Sequence, residues 1–102
     1  MTSEEFAQAQ KGRKVTLLDV REREDYRITH KKEAINIPLL EFAIRAPFEL
    51  DRSDLQVVDC GQLSTSMCGA AASRIAKSGF KVAELSDGLL LNSCQTTQAT
   101  AQ

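Results

Sequence analysis

The sequence predicts an α/β fold built on a parallel sheet, and three observations carry that expectation. Short, mostly apolar runs recur at Val15–Val20, Ala34–Ile37, Leu55–Asp59 and Phe80–Leu85. They are strand-length and largely uninterrupted by polar residues, which is how strands buried on both faces read. Stretches of helical character separate them through short connections, and that alternation implies parallel strands covered by helices on both sides.

Each element has its own signal. Thr2 with Glu5 three residues on has the spacing of a capping box, which starts a helix through about Gln10. Lys11-Gly12 ends it, and Val15–Val20 follows as a strand. The charged stretch Arg21–Arg27 offers a short helix with Tyr26 on one face, and Pro38 closes the strand at Ala34–Ile37. Leu39, Leu40, Phe42, Ala43 and Ile44 give a helix with a broad apolar face, stopped near Pro47. Phe42, Ile44 and Phe48 are expected to cover one side of the domain.

Leu55–Asp59 ends just before Cys60. Gly61 to Ser66 forms a loop of small and hydroxylated residues, and Met67–Ser78 is an alanine-rich helix with Gly79 in the terminating position. Ala70, Ala71 and Ala72 suit close packing of that helix on the sheet. Asp87-Gly88 begins a last turn or short helix through Leu91. The polar segment from Ser93 lacks apolar periodicity. Residues 1–92 are therefore expected to form a single domain and residues 93–102 a flexible polar tail.

Composition narrows the function classes. The 102 residues are 42% hydrophobic and 26% charged, which is ordinary for a globular domain. The net charge is −1 with Lys and Arg dispersed, so neither a nucleic-acid partner nor a membrane surface is expected. No apolar run is long enough to span a bilayer. Three cysteines and no CxxC pair argue against a disulfide framework and against a zinc site. Free thiols in a cytoplasmic compartment, with no metal and no cofactor, are the expectation.

The chemistry-bearing residue is Cys60. It sits at the carboxyl end of a strand and ahead of a helix, where ligands bind in parallel α/β sheets. A small-residue loop there can aim backbone N–H groups at the sulfur, and the following helix adds the positive end of its dipole. Both favour the nucleophilic thiolate. Gly61 supplies torsional freedom, while Ser64, Thr65 and Ser66 can donate hydrogen bonds to an anion. On the local pattern alone, a small buried cysteine in a strand-to-helix turn stands as the alternative.

The stretch LLDVREREDYRITHKKEAINIPL, Leu17 to Leu39, resembles the N-terminal signature of the rhodanese-like superfamily. There a strand ends in Asp-Val-Arg, a Glu-rich turn and an aromatic follow, and a His precedes Ala-Ile-Asn-Ile-Pro. The second half agrees: a strand ending at Cys60, the helix MCGAAASRIAKSGF, and FKVAEL leading to an Asp-Gly turn. The resemblance covers roughly residues 3 to 92. It implies a rhodanese-like α/β fold, with a parallel central sheet of about five strands flanked by helices. The active-site loop is Cys60, Gly61, Gln62, Leu63, Ser64, Thr65 and Ser66.

The resemblance also implies a sulfurtransferase or sulfur carrier. Cys60 takes sulfane sulfur from a small donor anion such as thiosulfate, or from a persulfidated protein. As a persulfide it passes the sulfur to cyanide, a thiol or a protein acceptor. Asp19 and Arg21 mainly organise the fold, with Arg21 a candidate for the pocket, and His30 is mostly a structural hydrogen-bonding residue.

The loop carries no Arg or Lys and is about two residues longer than the usual form. Lys31 and Lys32, standing where the family usually has Ile-Pro after the His, are the basic candidates for the pocket. Two other classes therefore stand beside the sulfurtransferase. One is a catalytically weak interaction or regulatory module on the same fold. The other is a redox sensor in which Cys68, eight residues after Cys60, resolves it through a disulfide.

Overall fold

A computed structural model describes residues 1–61 and 63–85 and the strand at Cys94–Thr96. The chain opens with α1 (Ser3–Gly12), where Thr2 accepts from the Glu5 N–H and Glu5 returns the bond to the Thr2 N–H, the capping box expected from the spacing. β1 (Val15–Asp19), α2 (Arg23–Ile28), β2 (Thr29–Lys31) and β3 (Ile35–Asn36) follow. A single 3-10 turn at Leu39–Glu41 leads into α3 (Phe42–Glu49), then β4 (Leu55–Asp59), α4 (Thr65–Lys77), β5 (Lys81–Leu85) and β6 (Cys94–Thr96).

The central sheet is parallel, in the order β3-β1-β4-β5, so the described residues supply four strands where about five are expected. β2 pairs instead with β6, antiparallel, in a separate ribbon with Lys31 opposite Cys94. That strand lies within the segment expected to be a loose polar tail. Main-chain pairing at an edge needs no apolar period, which is why the pattern gave no warning. The turn expected at Asp87-Gly88 lies outside the described residues.

Period-two alternation divides the core. Leu18, Val58 and Val82 face one side, where α3 and α4 pack through Phe42, Ala46, Ala71 and Ile75. Leu17, Val57, Ala83 and Leu85 face the other, against Phe6 of α1 and Tyr26 of α2. Of the four alanines in α4, Ala71 alone is fully buried; the stripe Cys68, Ala71, Ile75 is the helix's inner face.

α4 ends as the sequence predicts. Gly79 has φ 94°, its N–H donates to the Ala76 carbonyl and the Phe80 N–H to that of Ile75, which is a Schellman closure sealed by the Ile75–Phe80 contact.

Two expectations fail around α3. Pro47 sits inside the helix rather than stopping it. The bond it cannot make is to the carbonyl of Ala43, an exposed residue, and Leu50 N–H still closes the helix on Ala46. Ile44 and Phe48 do not cover the domain either. Phe42 is fully buried, whereas Ile44 is 73% and Phe48 89% exposed, because the helix turns its Phe42–Ala46 edge inward. Among the described residues no helix is long and apolar enough to cross a membrane.

Candidate active site

Cys60 follows the last residue of β4, and strand alternation puts it on the Val58 face, beneath α4. It is half-buried and packs with Leu63 against the α3–α4 core. Its N–H donates to the Leu85 carbonyl at 3.0 Å, which pins the start of the loop to the carboxyl end of β5.

The loop is organised differently from expectation. Gly61 N–H donates to Asp59 Oδ1 at 3.1 Å and Leu63 N–H to the Cys60 carbonyl at 3.2 Å. These two amides are thus committed to the protein, not to a sulfur anion. Gln62 lies outside the described residues. Ser64 caps α4, accepting from Met67 N–H at 3.1 Å, so the helix begins at Thr65 instead of Met67. Thr65 and Ser66 are therefore first-turn residues. Their amides belong to the end of the helix that has no intrahelical acceptors.

An open cavity of about 420 Å³ lies over this loop, lined by Cys60, Gly61, Leu63, Ser64, Thr65, Cys68 and Glu84. Glu84 was missed by sequence reasoning, and the signal for it is cross-strand. In the parallel register Glu84 stands opposite Val58, so it shares a face with Cys60 one dyad along. Its carboxylate brings negative charge to a site whose described lining contains no basic residue.

Cys60 and Cys68 are joined as a disulfide, with Cα atoms 5.6 Å apart. This corrects the expectation of free thiols. Cys68 is buried, on the first turns of α4, and helix side chains lean toward the N-terminus, which carries its sulfur back over the loop to Cys60. Among the described residues, Cys60, Cys68 and Glu84 are also the one group able to offer three ligand atoms to a metal, all within 4.8 Å of one another. As a disulfide the two sulfurs present no thiolate for that purpose.

The remaining signature residues gather on the opposite face. Arg21 forks onto Asp19, with Nε to Oδ1 at 2.9 Å and Nη2 to Oδ2 at 2.7 Å, and its Nη2 also donates to the Thr29 carbonyl at 2.7 Å. Asn36 Nδ2 donates to the carbonyls of Asp19 and Arg21, and Tyr26 OH to that of Ala34. His30 stacks on Tyr26 with centroids 3.8 Å apart, and its Nδ1 bonds the Tyr26 carbonyl at 2.7 Å. Asp19, Arg21 and His30 therefore hold β1, α2 and β2 together and do not line the cavity beside Cys60. The Arg21 guanidinium is held above its ordinary range, chiefly by the Asp19 hydrogen bond.

Asp59 links the two regions. It is buried, and burial raises its carboxyl above the ordinary range, against the Gly61 hydrogen bond and the charges of Lys31 and Arg21. Lys31 is buried too and acts on Asp59 from β2; Lys32 is exposed, and neither lysine lines the cavity. Because folding favours neutral Asp59, the stability it contributes is complete below the unfolded carboxyl range, about pH 4, and is lost as pH rises through its higher folded value. Asp59→Asn keeps the acceptor for Gly61 and removes the charge. The variant is expected to match the wild type near pH 4 and exceed it near pH 7. Urea midpoints at both values check this; a wild type that gains on the variant with rising pH contradicts it.

Comparison with known proteins agrees with this architecture. No curated protein matches the chain. A protein from Anabaena sp. superposes with a TM-score of 0.79 at 22% identity, over 94% of this chain and 91% of that one. A rhodanese-like domain from Anabaena sp. gives a TM-score of 0.69 at 26% identity, covering 85% of this chain and 87% of the other. A thiosulfate sulfurtransferase from Pseudomonas aeruginosa is 28% identical with a TM-score of 0.70, over 87% of this chain but 17% of its own length. The rhodanese-like domain model matches residues 2–90, and on that match the chain belongs to the rhodanese-like domain family.

Proposed function

We propose that this domain carries sulfane sulfur as a persulfide on Cys60 and transfers it to a thiophilic acceptor, acting as a sulfurtransferase. The observation that carries this reading is the address of Cys60. It is half-buried at the carboxyl end of β4, faces an open cavity, and adjoins the N-terminus of a 13-residue helix whose dipole favours a sulfur anion. Likeness to a thiosulfate sulfurtransferase adds support.

Cys60 thiolate attacks the outer sulfur of the donor, the donor leaves with the bonding electrons, and the terminal sulfur faces the cavity for transfer. A described lining without a basic residue, together with Glu84, disfavours a doubly charged donor. A persulfidated protein or a low-molecular-weight persulfide therefore fits better than thiosulfate, with a thiol as acceptor. A reducing compartment such as the cytoplasm suits this cycle, since Cys60 must be returned to its thiol.

The same acidic, non-basic cavity favours a second reading, a rhodanese-fold interaction module without turnover. Thiocyanate formation from cyanide and a persulfide donor separates the two. Reduced wild type is expected to catalyse it and Cys60→Ser to fall to the uncatalysed background. Equal rates in the two proteins leave the interaction module.

A further inference from the structure

We propose that Cys68 is a resolving thiol that converts a Cys60 persulfide into released hydrosulfide, giving the domain a persulfide-reductase activity besides transfer. This inference rests on the Cys60 persulfide reading. Its ground is the placement of the two sulfurs: Cys60 and Cys68 lie within disulfide reach, 5.6 Å between Cα atoms, on a strand end and the first turns of the following helix.

The two cysteines are not equivalent. Cys60 is half-buried and the more accessible of the two in the cavity, so an external donor meets it first. Cys68 also touches the cavity but is only 5% exposed and sits on the inner face of α4, so it is much less open to outside reagents. Cys68 is therefore unsuited to collecting sulfur and suited to attacking an atom already held beside it. The atom it reaches is Cys60 Sγ, the inner sulfur of the persulfide, since this is the atom to which it bonds in the structure. Its position over the N-terminal turn of α4 favours the attacking thiolate through the helix dipole.

In the step, the Cys68 thiolate donates its electron pair to Cys60 Sγ, and the bond from that sulfur to the terminal sulfur breaks. The terminal sulfur leaves with the bonding pair as hydrosulfide, and the proton from Cys68 balances it as hydrogen sulfide. The sulfane sulfur is reduced, and the two cysteines are oxidised to the disulfide. An external dithiol then attacks the more accessible Cys60 sulfur, expels the Cys68 thiolate and regenerates both thiols. Glu84 beside the pair places negative charge where the anionic product departs, which opposes its retention.

The test uses reduced full-length protein, loaded with inorganic polysulfide, freed of excess reagent and left without added thiol. Sulfide is measured alongside intact mass, and peptide mapping locates the added sulfur. Wild type is expected to release about one equivalent of sulfide, while its mass falls from about 32 Da above the reduced protein to about 2 Da below it. Cys68→Ser is expected to keep the added sulfur on Cys60 and release sulfide only when dithiothreitol is supplied. Equal thiol-free release by the two proteins overturns the inference, as does a wild-type persulfide that persists with Cys68 still open to alkylation after unfolding. If neither protein gains sulfur at Cys60, the persulfide reading itself fails and takes this inference with it.

Discussion

Arg21→Ala is expected to lower stability by about 3–5 kcal/mol, the usual cost of removing one partner from a buried ion pair. Asp19 is 2% exposed and Arg21 12%, and the guanidinium also satisfies the Thr29 carbonyl. Without it Asp19 loses the guanidinium hydrogen bonds and keeps the backbone N–H of residue 21, and the Thr29 carbonyl loses the guanidinium as a donor. A domain of this size has total stability of only about 5–15 kcal/mol, so the variant approaches the unfolding threshold. Arg21→Lys restores the charge but not the fork and recovers only part of the loss. Urea denaturation of the three proteins at neutral pH measures this. An Arg21→Ala midpoint equal to wild type contradicts the structural role assigned to the pair.

Glu84→Gln is expected to raise the rate of sulfur loading from thiosulfate by about tenfold at low salt. A unit charge within 4.8 Å of the reacting sulfur stands close to any incoming donor, and thiosulfate carries two negative charges. The residue is exposed, so counterions screen much of the interaction and the gain should shrink as salt is raised. The same change should leave loading from an uncharged organic persulfide nearly unaltered. Stopped-flow or quenched mass measurement of persulfide formation reads both rates. A gain independent of donor charge would show that Glu84 acts on Cys60 itself and not on the donor.

Much of this arrangement is legible in the chain because it rests on local chemistry. The capping box at Thr2 and Glu5, strand β4 and the terminating Gly79 each follow from residues adjacent in sequence. The address of Cys60 needs only a strand followed by a helix. What escaped depends on contacts between distant residues. Ser64, Thr65 and Ser66 are all able to cap a helix, and only the closure of the loop on Asp59 and Cys60 selects Ser64. Glu84 reaches the cavity through the β4–β5 register, and a single chain does not reveal register between parallel neighbours. The Cys60–Cys68 bridge could be named as an option from spacing, but its formation depends on how far α4 leans over the loop. Ile44 and Phe48 are apolar yet solvent-facing, since helix rotation is set by Phe42 and Ala46.

The central claim is that Cys60 carries sulfur, and intact mass after incubation of the reduced protein with a low-molecular-weight organic persulfide tests it most directly. Wild type and Glu84→Gln, quenched early with acid, are expected to gain about 32 Da, mapped to the Cys60 peptide, and Cys60→Ser to gain nothing there. No gain in wild type or in Glu84→Gln, with Cys60 reduced and open to alkylation, would contradict the claim.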